Sequence, residues 1–115
     1  MKKIILATVF YALALSSCSI SKPMYSWYNY ENNTYKYSKK NTDAWLSKVL
    51  EEYKKMISDQ HGSRGIVPPG LYAEYGYLLY KTGKHSEGIS FLKKEIELYP
   101  ESETYISRII KQLEK

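Results

Sequence analysis

Apolar residues recur at three- and four-residue spacing along most of the chain, and the breaks in that rhythm fall at Gly, Pro and capping residues. Trp45, Leu46, Val49, Leu50, Tyr53, Met56 and Ile57 place an amphipathic helix over residues 42–59. Asn41-Thr42-Asp43 supplies its cap and an early acid, and Lys48, Glu51, Glu52, Lys54 and Lys55 form the other, solvated side. His61-Gly62-Ser63-Arg64-Gly65 reads as a loop. Pro68-Pro69 opens a second helix with Tyr72, Tyr75, Gly76 and Leu79 on one face, and Gly83 marks a left-handed C-terminal turn. A third helix runs to about Tyr99, with Gly88, Leu92 and Ile96 on one stripe and Pro100 as its stop. Ser102 can cap a last helix that carries Ile106, Ile109, Ile110 and Leu113. The pattern predicts an all-α fold.

Residues 69–102 span one tetratricopeptide period of about 34 residues. Tyr72 and Tyr75 take the two large positions of the first helix, and Gly76 the small position where the paired helix crosses closely. Gly83 falls at the turn, Gly88 at the second small position, Leu92 at the large position after it, and Pro100 at the terminal proline. Two small residues let helix axes approach, and bulky ones lock around them. Leu79 and Glu95 depart from the pattern, standing where Tyr and Ala are usual. One such hairpin cannot bury both its faces, so helix 42–59 and the C-terminal helix 102–114 are expected to close it.

The N-terminus has a different character. Met1-Lys2-Lys3 is a basic start, followed by an apolar stretch from Ile4 to Leu15. As a helix those residues rise about 18 Å, too short for a hydrocarbon core of about 30 Å, so the stretch fits a signal peptide over residues 1–17. It ends in Leu15-Ser16-Ser17-Cys18 and resembles the bacterial lipobox, which directs diacylglycerol attachment to the Cys and cleavage before it. Cys18 is the single cysteine, so no internal disulfide competes for it. A lipid-anchored mature chain would start at Cys18 and lose the Lys2 and Lys3 charges, taking the formal +5 down to +3. In a Gram-negative host, Ser19 rather than Asp after the lipidated Cys implies sorting to the outer membrane, by default facing the periplasm.

Residues 18–40 then read as a lipidated tether and an aromatic segment, ahead of a helical domain over 41–115. Tyr25, Trp27, Tyr28, Tyr30, Tyr35 and Tyr37 crowd into this stretch. They either cover the helical core or form an exposed patch for a partner or the bilayer interface. The composition, 43% hydrophobic and 15% aromatic, is that of a chain that can repay the entropy of ordering.

Enzymatic chemistry finds little support. His61 and His85 lie in a loop and near a turn, without metal-ligand spacing. An acylated Cys18 cannot act as a nucleophile. Glu51-Glu52 and Glu95-Glu97 read as solvated or locally paired helix charges, and Gly62-Ser63-Arg64-Gly65 lacks the ending of a phosphate loop. Lys39-Lys40 and Lys93-Lys94 are too short for a nucleic-acid track. A binding surface, in tetratricopeptide geometry, lies on the concave side, where Ala73, Tyr77, Tyr80 and Lys81 would offer aromatic anchors to a peptide or a partner's helix.

Beyond the generic repeat, the chain resembles a small family of Gram-negative lipoproteins of unknown function. The resemblance rests on Pro68-Pro69-Gly70-Leu71-Tyr72-Ala73-Glu74-Tyr75-Gly76-Tyr77, on Phe91-Leu92-Lys93-Lys94-Glu95, on Tyr99-Pro100-Glu101-Ser102, and on Arg108. Tyr25-Ser26-Trp27-Tyr28-Asn29-Tyr30-Glu31-Asn32 looks like that family's aromatic opening, with Tyr28 where Gly is commoner. Glu95 fits the family. The resemblance implies an anchored helical lipoprotein, often encoded beside a lipoprotein like the curli secretion pore. The expected function is a lipid-anchored protein–protein interaction module, an accessory or scaffold of an outer-membrane or secretion assembly, and not an enzyme. Its expected partners are the membrane and envelope proteins, the pore-like lipoprotein among them, with no nucleic acid, no small-molecule substrate, no metal and no cofactor beyond the lipid on Cys18. The alternative is a lipoprotein that regulates the cell wall or a wall enzyme.

Overall fold

The computed structural model describes residues 1–15 and 19–115, so the lipobox-like Ser16-Ser17-Cys18 lies outside the described residues. Among the described residues six α-helices follow one another: α1 (Lys2–Leu15), α2 (Tyr30–Lys40), α3 (Asp43–Ser58), α4 (Leu71–Lys81), α5 (His85–Leu98) and α6 (Glu103–Leu113). A 3₁₀ turn, Pro100–Ser102, precedes α6, and no strand occurs among the described residues. Residues 1–14 are all exposed, so the core is built without α1. No helix among the described residues is long and apolar enough to cross a membrane.

The centre of the fold is the antiparallel hairpin α4–α5, as its glycines require. A Cβ on Gly76 would stand 2.6 Å from the Gly88 carbonyl oxygen, and one on Gly88 would stand 2.5 Å from the Gly76 carbonyl oxygen. The two backbones therefore meet at a reciprocal pair of glycines. Gly83 (φ 94°) turns the chain, with its N–H bonded to Tyr80 O (3.1 Å) and the Lys84 N–H to Leu79 O (3.0 Å). This is the two-bond closure that satisfies the last carbonyls of a helix. Around it pack Val49, Tyr53, Met56, Val67, Leu71, Tyr75 and Leu79 as one buried cluster, with Leu92 and Ile106 also buried.

Several expectations change in detail. Pro68 and Pro69 precede the second helix rather than occupying its first turn; α4 starts at Leu71, after a turn in which the Leu71 N–H bonds Pro68 O. Pro100 does not only end α5 but starts the 3₁₀ turn. Ser102 stands at the start of α6, yet its hydroxyl donates back to Tyr99 O (2.7 Å) and caps nothing. Thr42 does cap α3, accepting from the Trp45 N–H.

The largest difference lies upstream. Residues 30–40, read from the sequence as part of an aromatic tether, form α2 and pack antiparallel to α3, so the helical body begins at Tyr30. Asn41 (φ 46°) ends α2 in a left-handed turn and leads at once into the cap of α3. The hairpin α4–α5 is thus closed by a second hairpin on one side and by α6 on the other. The aromatics divide accordingly. Tyr25 is buried, Tyr30 and Tyr37 pack on the core, and Trp27, Tyr28 and Tyr35 keep substantial exposure. A run of ring contacts links Tyr25, Trp27, Tyr30, Tyr53, Tyr75 and Phe91 at centroid separations of 4.7–6.1 Å. Aromatic pairs at such distances add to the stability that area burial gives.

Ahead of α2, residues 23–28 are pinned to the loop after α3. Pro23 O accepts from the Ser63 N–H, Ser26 and Gln60 exchange two 3.0 Å bonds, and the Tyr28 hydroxyl donates to Asp59 O. Tyr28 holds φ 46°, a conformation that glycine adopts without strain.

Candidate functional site

Three carboxylates hold the helices in place, and each does so from a different helix. Glu95, on α5, is 2% exposed; its Oε1 accepts from the Gly70 N–H (2.6 Å) and its Oε2 from the Ala73 N–H (3.3 Å). It therefore caps the N-terminus of α4 from across the hairpin, where both the free N–H groups and the helix dipole favour negative charge. The expectation that Glu95 is a solvated or locally paired charge is corrected by this burial, and the missing Ala of the repeat pattern gains a physical reason. Glu52 accepts from the Asn29 N–H and from Asn33 Nδ2 (3.0 Å each), at the start of α2. Glu74 Oε2 accepts from the hydroxyls of Tyr30 (2.7 Å) and Tyr53 (2.8 Å), tying α2, α3 and α4 together.

Burial, reinforced by the Glu74 carboxylate, pushes the Tyr30 and Tyr53 hydroxyls well above the ordinary tyrosine range. Tyr99, whose hydroxyl donates to Val67 O (2.6 Å), is pushed up to about 12, first by burial and then by Tyr25.

With these helices fixed, α4 and α6 run side by side in the same direction and enclose a trough of about 560 Å³. Its walls are Ala73, Glu74, Tyr77 and Lys81 from α4 and Tyr105, Ile109, Gln112 and Leu113 from α6. Ala73, Tyr77 and Lys81 stand four residues apart, as do Tyr105, Ile109 and Leu113, so each row keeps to one face of its helix. Tyr77 is 40% exposed and Tyr105 69% exposed, which leaves aromatic surface open along the trough. A second hollow extends it past the N-termini of both helices, between Pro69, Gly70 and Glu101.

The sequence-derived candidates separate here. Ala73, Tyr77 and Lys81 line the trough together, with the Lys81 ammonium 5.7 Å from the Tyr77 ring centre. Tyr80 does not line it; its hydroxyl donates to Leu113 O (2.5 Å) and its ring stacks on His85 at 4.2 Å, so it pins the end of α6. Tyr77 stays exposed at the trough and is not among the hydrophobic residues packed on the core. Tyr72, Tyr75, Gly76, Gly83, Gly88, Leu92 and Pro100 all sit within or beside the α4–α5 hairpin. On the opposite wall, Ile109 belongs to the apolar stripe expected of the last helix, whereas Tyr105 has no counterpart among the sequence-derived candidates. His61 pairs with Asp59 (2.5 Å) on the exposed loop, far in sequence from His85. Among the described residues, no group of three His, Cys, Asp or Glu side chains is placed to hold a metal ion.

Residues 24–109 match the model of the family described as Domain of unknown function (DUF4810), and the chain belongs to that family. No curated protein and no solved structure matches it.

Proposed function

We propose that this member of the DUF4810 family is a lipid-anchored interaction module, an accessory or scaffold subunit of an outer-membrane or secretion assembly rather than an enzyme. The observation that carries the reading is the α4–α6 trough, with its two rows of side chains at four-residue spacing and two exposed tyrosines. Such a trough suits the apolar face of an amphipathic helix from an envelope protein, anchored at i and i+4 positions. Tyr77 and Tyr105 supply large contact area with few rotatable bonds. The anchoring half of the proposal is supported by an exposed, short apolar helix α1 followed by Leu15-Ser16-Ser17-Cys18. Two or more acyl chains on Cys18 give stable attachment where one would not. A lipoprotein like the curli secretion pore is the proposed neighbour.

The test uses the native host. Metabolic labelling with an alkyne fatty acid should mark the wild-type chain and not Cys18→Ala, and cross-linking should recover a discrete outer-membrane partner only with the wild type. Unlabelled wild-type protein would remove the anchor. Recovery of the wall or a wall enzyme instead of an assembly subunit would replace the scaffold role with the regulatory one.

A further inference from the structure

The sequence shows Lys39-Lys40 as a short basic pair, but folding enlarges it. Because α2 turns back along α3, Lys36, Lys40 and Lys48 gather over the ring of Trp45, at 4.9, 5.6 and 4.2 Å from its centre. Lys39 sits 5.6 Å from the exposed ring of Tyr35. Asp43 is the one acid between residues 32 and 50, against these four lysines. The ion pair found among the described residues is His61–Asp59, so none of the four ammonium groups has a carboxylate partner. Four cations outside ion-pair distance of any carboxylate, around an indole and a phenol, make a basic, aromatic surface. Its charge asks for an anionic partner, and Trp and Tyr favour the level of lipid headgroups.

The chain's own layout selects among anionic partners. Pro23 and Met24 are bonded to the loop that follows α3, so residues 19–23 are the whole tether between Cys18 and the folded body. Five residues reach at most about 17 Å. The α3 helix, 16 residues long, measures about 24 Å. Near the tether end of α3, the Lys55 ammonium stands 4.1 Å from the ring of Tyr28, which is itself partly exposed. Lys48 and Lys55 are seven residues apart and share one side of the helix. Cations and aromatics therefore mark both ends of the α2–α3 hairpin, along one length that starts at the tether.

We propose that the α2–α3 hairpin lies along the bilayer and docks its Trp45-centred lysine cluster on anionic phospholipid headgroups, acting as a second membrane contact beside the lipid on Cys18. This rests on the anchored reading above. It turns a loosely tethered domain into one held in a fixed orientation, with the α4–α6 trough on a separate pair of helices and free for a protein partner. Electrostatic attraction to anionic lipid supplements acyl anchoring in this way.

The experiment uses the full chain purified from native membranes and reconstituted in vesicles of neutral phosphatidylcholine, with or without phosphatidylglycerol. Trp27→Phe leaves Trp45 as the single tryptophan, and its quenching by acrylamide is read. Phosphatidylglycerol should lower the quenching constant about two-fold, and 1 M salt, where the Debye length is about 3 Å, should restore it. Replacing Lys36, Lys39, Lys40 and Lys48 by Gln should abolish the difference between the two vesicle types while leaving the helical circular dichroism unchanged. Equal quenching in both vesicle types overturns the proposal, as does protection by soluble polyglutamate without any by phosphatidylglycerol, which would assign the surface to an acidic protein. Failure of the anchor reads out separately, as loss of flotation with the neutral vesicles.

Discussion

Glu95 is the residue whose replacement tests the fold most sharply. Its carboxylate is buried and accepts from two backbone N–H groups at the start of α4, at 2.6 and 3.3 Å. Hydrogen bonds to a charged group contribute about 1.5–3 kcal/mol, and a buried donor left without a partner costs about 1–3 kcal/mol. Glu95→Ala removes both acceptors and leaves a void, so about 3 kcal/mol of stability should be lost. Glu95→Gln keeps one acceptor oxygen but turns an NH₂ toward a donor and removes the charge at the helix N-terminus, for a loss of about 1.5 kcal/mol. In a domain of this size a loss of 1 kcal/mol lowers Tm by about 4–8 °C. The order wild type, Gln, Ala should appear in urea titrations followed by circular dichroism, with faster amide exchange at Gly70 and Ala73. Glu97→Gln, on an exposed position of the same helix, should stay within about 0.5 kcal/mol. If Glu95→Gln and Glu95→Ala both match wild type, the capping role is refuted.

Gly76→Ala should cost about 2 kcal/mol or more, because the new Cβ meets the Gly88 carbonyl oxygen and the Leu92 nitrogen, both backbone atoms; an unchanged urea midpoint would contradict the close crossing. Alkaline pH should destabilise the fold. Tyr30, Tyr53 and Tyr99 are raised above their unfolded values, so their contribution is complete below pH 10 and is lost as pH climbs from about 10 toward 12. Tyr53 alone should account for about 1.4 kcal/mol at pH 11, and a urea midpoint unchanged between pH 9 and pH 11 would contradict it. Tyr80→Phe should loosen the C-terminal turn of α6, seen as faster amide exchange there with α5 unaffected, at a cost of about 1 kcal/mol; unaltered exchange in α6 would dismiss the pinning role.

The α4–α5 hairpin was legible in the sequence because its determinants are local. Gly76, Gly83 and Gly88 each fill a backbone requirement that few other residues meet, at a spacing fixed by helix geometry. The α2 helix was hidden for the opposite reason. Tyr-Glu-Asn-Asn-Thr-Tyr-Lys-Tyr-Ser-Lys-Lys has no aliphatic stripe, and its contacts come from Tyr30 and Tyr37, whose rings pack on the core while a hydroxyl finds a partner on another helix. Of the trough, one wall could be read and one could not. Ala73, Tyr77 and Lys81 share a helix face by spacing alone, whereas Tyr105 and Ile109 join them only because α6 packs on α5 and so comes alongside α4. Glu95 and Tyr80 were misplaced because a side chain that serves a different helix leaves no periodic trace; the one signal was that Glu95 broke the repeat pattern.

The most direct test of the trough as a partner site is site-specific photo-cross-linking in living cells of the native host. A photoreactive residue would replace Tyr77 or Tyr105 in the anchored protein, and Ser90, exposed on α5, would serve as the control position. The trough positions should give the same discrete adduct with an envelope protein, dependent on Cys18, and the control should give none. Adducts absent from both trough positions, or equally strong from position 90, would show that the α4–α6 trough is not where this protein meets its partner.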